Sequence, residues 1–591
     1  MARAILSGTS ISPGIAIGFA HFIHSVQQKE YLRLNPDEAP AEQAFLRAAT
    51  DNLCAALQQT IQNVPPDMAE YRDVIAAQIV LARDPKLLGS ALARIEDELI
   101  CAAWALDRTV DTLCAQFRGM EDPYLRDRAQ DIRTVGLRLR EYLSGQPKPQ
   151  APDVPCILVA GDLSPADIIE LNMQNIQGIL TVEGGSTSHT SILARSLRIP
   201  ALVNVTGLLD VSAENCRIIL DGIRGHVLFD PDVEELVDYR TRQTDYANWE
   251  KHCESMSRLP AEMSDGARVI VRANLERQGD LAAVRESGAE GIGLYRTEYA
   301  YLSGNLPAED DLFDEYKIVA DSIAPERVIF RTLDSGADKT LPAQAALKEP
   351  NPALGLRGIR FCLHHEEIFK TQLRALMRAG VRGNTALLLP MITEIAEVRS
   401  VRRIILELHK ELHTQGLPHA PELPLGVMIE TPAAVLICDD LAKECDFFSI
   451  GTNDLVHYLI AIDRDNRHVS YLHNPLHPAV VRAIKRVIDV AHGAGIAVSV
   501  CGELASDPYG LALLLGLGVS TVSATPRFIP DMKHMIRRLD AAACTDLARN
   551  ILQSSDVVES KRMVHESLYK SLGQELTFHT TSLLTRSRYE Q

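Results

Sequence analysis

Phe447 to Leu455 reads FFSIGTNDL: a four-residue run of β-forming character, a glycine, and then Thr-Asn-Asp, a polar opening for a helix. A short apolar run that ends on polar residues and passes directly into a helix is one repeat of a parallel β/α alternation. The same figure recurs on both sides. The runs are Val269 to Asn274, Gly291 to Arg296, Val328 to Arg331, Ala386 to Met391, Gly426 to Glu430, Phe447 to Gly451, Ala497 to Cys501 and Val519 to Ser523, with helical periodicity between them. Eight strands alternating with helices over about 260 residues predict a (β/α)8 TIM barrel, whose chemistry gathers at the C-terminal ends of the strands.

Upstream the pattern changes. Leu46, Ala49, Leu53, Leu57, Ile61 and Val64 step by three or four, the stripe of an amphipathic helix, and further stripes follow over Met68 to Ala82, Leu88 to Leu99 and Leu106 to Phe117. Residues 25–145 are therefore expected to form a helical bundle. Beyond the turn-rich stretch at Pro147, short β-type runs at Cys156 to Val159, Gly178 to Val182 and Ile218 to Leu220 predict a small α/β domain over 146–230. Ile5 to Phe19 shares that character, so residues 1–24 are assigned to the same domain and the bundle is read as an insertion in it. Residues 231–262 are polar and read as a linker or hinge, the barrel spans 263–545, and 546–591 read as a C-terminal helix and polar tail.

Composition narrows the function classes. A chain of 591 residues is too long for one hydrophobic core, and 46% hydrophobic with 23% charged residues is the balance of ordinary globular domains. We read no signal peptide and no membrane-spanning stretch. Sixty Lys and Arg against seventy-eight Asp and Glu leave a formal charge of −18, which disfavours nonspecific nucleic-acid binding and suits a basic protein partner. Eleven scattered cysteines without a CxxC pair fit reduced thiols in a cytoplasm.

The chemistry-bearing residues sit at the expected strand ends. Arg296 closes GIGLYRTE, Arg331 closes the run in RVIFRTLDSGADK, Arg357 and Arg360 lie in NPALGLRGIR, and Arg464 lies in AIDRDN. An isolated arginine is ordinarily a surface ion pair; several at the mouth of one barrel are a set of forks for a small polyanion. Glu430 in VMIETPAA and Asp454 in SIGTNDL would bring two carboxylates to the same mouth, the sparse oxygen ligation that Mg²⁺ accepts. A second site lies in GGSTSHTSILARSLRIPA, Gly184 to Ala201, where His189 stands at a helix entry. Free N–H groups and the Thr187 or Ser188 hydroxyl there would support a phosphate carried on the imidazole.

These strings resemble enzyme I of the phosphoenolpyruvate:sugar phosphotransferase system, and the histidine run is shared with phosphoenolpyruvate synthase and pyruvate phosphate dikinase. GLYRTE, IETPAA, FFSIGTNDL and CGELA carry the likeness in the barrel; SPGIAIG from Ser12 and RAQDIRTVGLRLR from Arg128 extend it upstream. The resemblance implies a swivelling phosphohistidine α/β domain with an inserted helical domain that binds the phosphocarrier HPr, followed by a phosphoenolpyruvate-binding barrel that also forms a homodimer. It implies transfer of phosphate from phosphoenolpyruvate to His189 and then to a histidine of HPr, with release of pyruvate, as the first step of sugar uptake. Substrate contacts would come from Arg296, Arg331, Asn453, Asp454 and Arg464, with Lys339 and Arg357 as additional candidates. Mg²⁺ would bind Glu430 and Asp454, and Cys501 would protonate the methylene carbon.

Three departures from the family pattern stand out: Ser186 where arginine is common, Ala337 in DSGADK, and Val456 with His457 in TNDLVHY. Two other readings compete. A synthase or dikinase would need an ATP-binding region, and the mainly helical segment before the histidine domain holds no Gly-rich phosphate loop. A catalytically silent phosphoenolpyruvate sensor would keep the fold without transferring phosphate.

Overall fold

A computed structural model of the chain describes residues 4–23, 31–64, 71–118, 123–144, 154–161, 163, 167, 175–184, 194, 197–211, 215–301, 306–334, 349, 351–463, 466 and 469–579. The chain divides into two units, Met1–Ala247 and Asn248–Gln591.

The first unit is built on an eight-stranded sheet: β1 (Ala4–Ser7), β2 (Thr9–Ser12), β3 (Ile15–Phe22), β4 (Cys156–Ala160), β5 (Ile176–Thr181), β6 (Ala201–Val203), β7 (Arg217–Asp221) and β8 (His226–Phe229), in the order β1-β8-β7-β3-β4-β5-β6-β2. CILVA in β4 is buried along its whole length because both faces of the sheet are covered. Ile157 and Val159 face one core cluster, Leu158 and Ala160 the other. The chain leaves the sheet after Phe22, forms α1 (Ala39–Asn63), α2 (Tyr71–Ala82), α3 (Ser90–Glu98), α4 (Ala102–Arg118) and α5 (Pro123–Ser144), and returns as β4, parallel to β3 with Phe19 opposite Cys156. The predicted stripe residues Leu46, Leu53, Leu57, Ile75, Ile95 and Leu106 pack into one core of their own among these helices.

The second unit holds the barrel. After β9 (Ala261–Glu262) come β10 (Arg268–Leu275), β11 (Ile292–Arg296), β12 (Val328–Arg331), β13 (Thr385–Leu389), β14 (Leu425–Ile429), β15 (Phe447–Ile450), β16 (Ala497–Val500) and β17 (Thr521–Ala524). β10 to β17 pair in parallel, each with the next, and β10 pairs both β17 and β11, which closes the ring. Each predicted run lands on its strand. Alternation sorts the side chains: Leu294, Ile329, Ala386, Leu388, Met428, Phe447 and Cys501 cluster inside the barrel, while Tyr295, Phe330, Leu387, Val427 and Phe448 join the larger core under the surrounding helices.

Two segments differ from the sequence reading. The polar stretch read as a linker is largely one helix, Val233–Met256, opened by reciprocal bonds in which Asp232 N donates to Glu235 Oε2 at 3.0 Å and Glu235 N to Asp232 Oδ1 at 2.8 Å. It shows no apolar stripe because Val233 and Val237 are 78% and 60% exposed. Beyond Asp540 the chain makes two helices, Ala541–Gln553 and Val557–Leu572, N-capped by Asp540 and Asp556. Leu547, Ile551, Val564, Leu568 and Leu572 from these helices complete the outer core of the barrel. No helix among the described residues is long and apolar enough to cross a membrane.

Candidate active site at the barrel mouth

The last residues of β11 and β12, Arg296 and Arg331, are register partners, so their side chains start side by side at one end of the barrel. Arg331 Nη2 donates to Glu298 Oε1 at 2.8 Å, and Nη1 lies 3.0 Å from Asp334 Oδ2. Asp334 in turn accepts from Arg357, from Nε at 3.2 Å and from Nη2 at 2.9 Å. Arg357 continues to Asp454 Oδ2 at 3.4 Å and to Tyr458 Oη at 3.0 Å. The result is an alternating string of charge, Glu298–Arg331–Asp334–Arg357–Asp454. Burial works against both guanidinium charges, yet the carboxylates outweigh it and raise the pKa of each arginine. Arg296 bonds Glu276 through Nη1, and the Nε groups of Arg296 and Arg331 are buried without a partner among the described residues.

Glu430 follows β14 and is 1% exposed. Its Oε1 accepts from Met391 N at 2.7 Å, a contact made by a residue in the left-handed region at φ 60°. Burial raises its pKa well above the usual carboxylate range; Asp454 and Asp334 add to the rise, and Arg331 and Arg357 oppose it. Among the described residues, Glu298, Asp334, Glu430 and Asp454 share one network with the guanidiniums of Arg331 and Arg357. Two carboxylates on neighbouring strand ends, Glu430 buried and Asp454 partly so, offer the oxygen donors that a hard divalent cation takes. Among the described residues no group of three or more His, Cys, Asp or Glu is arranged to hold a metal.

The next two strands supply the remaining groups. Asn453 and Asp454 lie in the first turn of the helix Thr452–Ile460 that follows β15, and Asn453 Oδ1 accepts from Glu503 N at 3.1 Å. Cys501 follows β16 and belongs to the interior cluster. Its carbonyl accepts from Asn274 Nδ2 at 2.9 Å, and Asn274 Oδ1 is held by Ser523 Oγ at 2.7 Å. Burial pushes the Cys501 thiol up; the Ser449 hydroxyl, Arg331 and Arg296 pull it down, and Glu430 adds to the rise.

Successive family descriptions match the chain: PEP-utilising enzyme, N-terminal, at residues 7–128; PEP-utilising enzyme, mobile domain, at 152–225; and PEP-utilising enzyme, PEP-binding domain, at 250–541. Phosphoenolpyruvate-protein phosphotransferase of Listeria innocua is 37% identical over 568 residues, covering 95% of this chain and 99% of that protein. Its counterpart in Listeria monocytogenes is 37% identical over 565 residues with the same coverage, and that of Bacillus subtilis 36% over 569 residues, again 95% and 99%. The chain belongs to the phosphoenolpyruvate-protein phosphotransferase family.

Of the residues singled out in the sequence, Arg296, Arg331, Arg357, Glu430, Asn453, Asp454 and Cys501 come together at the C-terminal end of this phosphotransferase-family barrel. His189, Lys339 and Arg464 lie outside the described residues, as do Ser186 and Ala337. Arg360 holds backbone instead, donating to the carbonyls of Leu354 and Gly355. Val456 is fully buried in the outer core, away from the polar groups its neighbours supply. Sequence reasoning missed Glu298, Asp334 and Tyr458. The one available signal was spacing: an acid two or three residues past the strand-end arginine, in RTE and in RTLD.

Proposed function

We propose that the chain moves the phosphoryl group of phosphoenolpyruvate to His189 and from there to the histidine of the phosphocarrier HPr, releasing pyruvate, as the first step of sugar uptake. The observation that supports this best is the pair of buried Nε donors on register partners Arg296 and Arg331, without a partner among the described residues, in the same mouth as the Glu430 and Asp454 carboxylates and the Cys501 thiol. Arg296, Arg331, Asn453, Asp454 and Arg464 hold the substrate, with Lys339 and Arg357 as further contacts. Glu430 and Asp454 would hold Mg²⁺, whose charge would offset the substrate phosphate.

An imidazole nitrogen of His189 attacks phosphorus in line, and the bond to the enol oxygen breaks as the P–N bond forms. The arginines neutralise charge on the transferring group. The enolate takes the thiol proton of Cys501 on its methylene carbon and leaves as pyruvate, and water returns a proton to the thiolate. In the second half-reaction the P–N bond at His189 breaks as one forms at HPr. The α1–α5 bundle receives HPr, the barrel pairs with a second copy, and the reaction runs in the cytoplasm.

The test is labelled phosphoenolpyruvate given to wild type and His189→Ala, with and without Mg²⁺, followed by HPr. Acid-labile, Mg²⁺-dependent label on wild type alone that then moves to HPr is the expected result. Tight phosphoenolpyruvate binding with no label on either protein would mean a sensor, not a transferase.

A further inference from the structure

We infer that Glu298 is a positioning residue for phosphoryl transfer: with Thr297 and Gln372 it clamps the end of β12, so that Arg331 and, through Asp334, Arg357 stand in place before substrate arrives. The inference rests on the substrate-binding role proposed for Arg331.

Four consecutive residues at the end of β12 are each pinned. Arg331 is held twice, its carbonyl by Thr297 Oγ1 at 2.9 Å and its guanidinium by Glu298 at 2.8 Å. Thr332 N donates to Leu388 O at 3.0 Å on the neighbouring strand. Leu333 N donates to Gln372 Oε1 at 3.1 Å, and Asp334 N to Glu298 Oε1 at 3.2 Å. Gln372, buried in the helix Glu366–Ala379, also donates from Nε2 to Thr297 Oγ1 at 2.9 Å and to Tyr316 Oη at 3.3 Å. One carboxylate oxygen of Glu298 therefore fixes both the arginine and the backbone that presents Asp334, and Asp334 is the residue that forks Arg357.

Stability alone does not account for this arrangement. Glu298 is 1% exposed, and burying a charged pair gains little over an apolar pair of similar volume. Its second oxygen, Oε2, is buried with no partner among the described residues. What the arrangement does supply is a guanidinium whose rotamers are restricted from two sides, which is what in-line attack on a held phosphate requires.

The two half-reactions separate the roles, because transfer between phospho-HPr and His189 does not use the barrel mouth. We would compare full-length wild type, Glu298→Ala, Glu298→Gln and Arg331→Gln in phosphorylation by labelled phosphoenolpyruvate with Mg²⁺, and in loading of His189 backwards from phospho-HPr. Glu298→Ala is expected to lose about 100-fold in kcat/KM for phosphoenolpyruvate, since a displacement near 1 Å costs that much. Backward loading should stay within about twofold of wild type, which marks a loss confined to one step. Glu298→Gln keeps Oε1 and its two hydrogen bonds and should recover to within about tenfold. If Glu298→Ala reacts normally with phosphoenolpyruvate while Arg331→Gln does not, the inference falls and the role of Arg331 stands. If Arg331→Gln is itself normal, that role falls with it. Equal loss in both half-reactions of Glu298→Ala would make Glu298 a folding residue, and no recovery in Glu298→Gln would mean that the two hydrogen bonds to Oε1 are not what positions Arg331; either result overturns the inference.

Discussion

The hydroxyl of Ser449 donates a hydrogen bond to Sγ of Cys501 at 3.3 Å, joining β15 to the residue that follows β16 inside the barrel. Both side chains are buried. The bond holds the thiol pKa below where burial alone would put it. Burial raises the Cys501 pKa and the Ser449 hydroxyl opposes the rise, so the side chain is a neutral thiol, able to donate a proton, at neutral pH. Ser449→Ala removes the opposing donor and should raise the pKa further. Alkylation of Cys501, followed by peptide mass between about pH 7 and about pH 10, should be slower in Ser449→Ala than in wild type throughout the alkaline range. Faster alkylation in the variant would contradict this.

Gly502 lies where a side chain has no room. A Cβ there would stand 1.9 Å from Thr452 Oγ1 and 2.8 Å from Thr452 N, and the second of these is backbone that cannot turn aside. Thr452 precedes Asn453 and Asp454, and Gly502 follows Cys501, so Gly502→Ala pushes apart two strands' contributions to the mouth. The expected loss in phosphorylation by phosphoenolpyruvate is about 100-fold or more. Wild-type kinetics in that variant would mean the two loops can separate without cost.

His579 lies 3.1 Å from Asp531 and edge-on to Trp249. Burial lowers its pKa, but the charge and hydrogen bond of Asp531, with help from Glu575 and Asp507, raise it above the ordinary histidine value. A folded pKa above the unfolded one gives stability that is fully present below about pH 6.5 and is lost as pH rises through the folded value. His579→Gln should therefore destabilise the barrel unit more at about pH 6 than at about pH 9. Denaturant midpoints at the two pH values decide it, and equal losses would refute the ion pair.

Lys533 is 2% exposed and gives its ammonium to three carbonyls, Ser257 at 2.9 Å, Leu259 at 3.2 Å and Gly288 at 2.6 Å. Lys533→Met keeps the volume and strands three acceptors. We expect a loss of about 3–5 kcal/mol, measured by urea unfolding of the second unit's transition. A loss below about 1 kcal/mol would show that water reaches these carbonyls.

The barrel was legible because each strand of a closed parallel sheet is covered on both sides and so appears as an unbroken apolar run with an abrupt polar end. Arg296, Arg331, Glu430 and Asp454 were legible for the same reason, since the polar end is the mouth; Cys501 was singled out through the family resemblance of CGELA. Glu298 was not. It is one acid among seventy-eight Asp and Glu, and what it does depends on β11 lying against β12, which brings it to an arginine thirty-three residues further along. The helix Val233–Met256 escaped detection because its buried positions, Leu236, Tyr239 and Cys253, are spaced among exposed apolar ones.

The pairing of Phe19 with Cys156 has a consequence for how the molecule is made. During synthesis β3 emerges early but its parallel neighbour does not exist until all of α1–α5 has left the ribosome. The five helices bury their apolar stripe in a core of their own, separate from the core clusters of the sheet. Once that core has formed, the ends at Phe22 and Cys156 are joined by a compact body in place of a long random loop, and closing the sheet costs far less chain entropy. A bundle with its own core thus shortens the effective loop across the sheet that it interrupts.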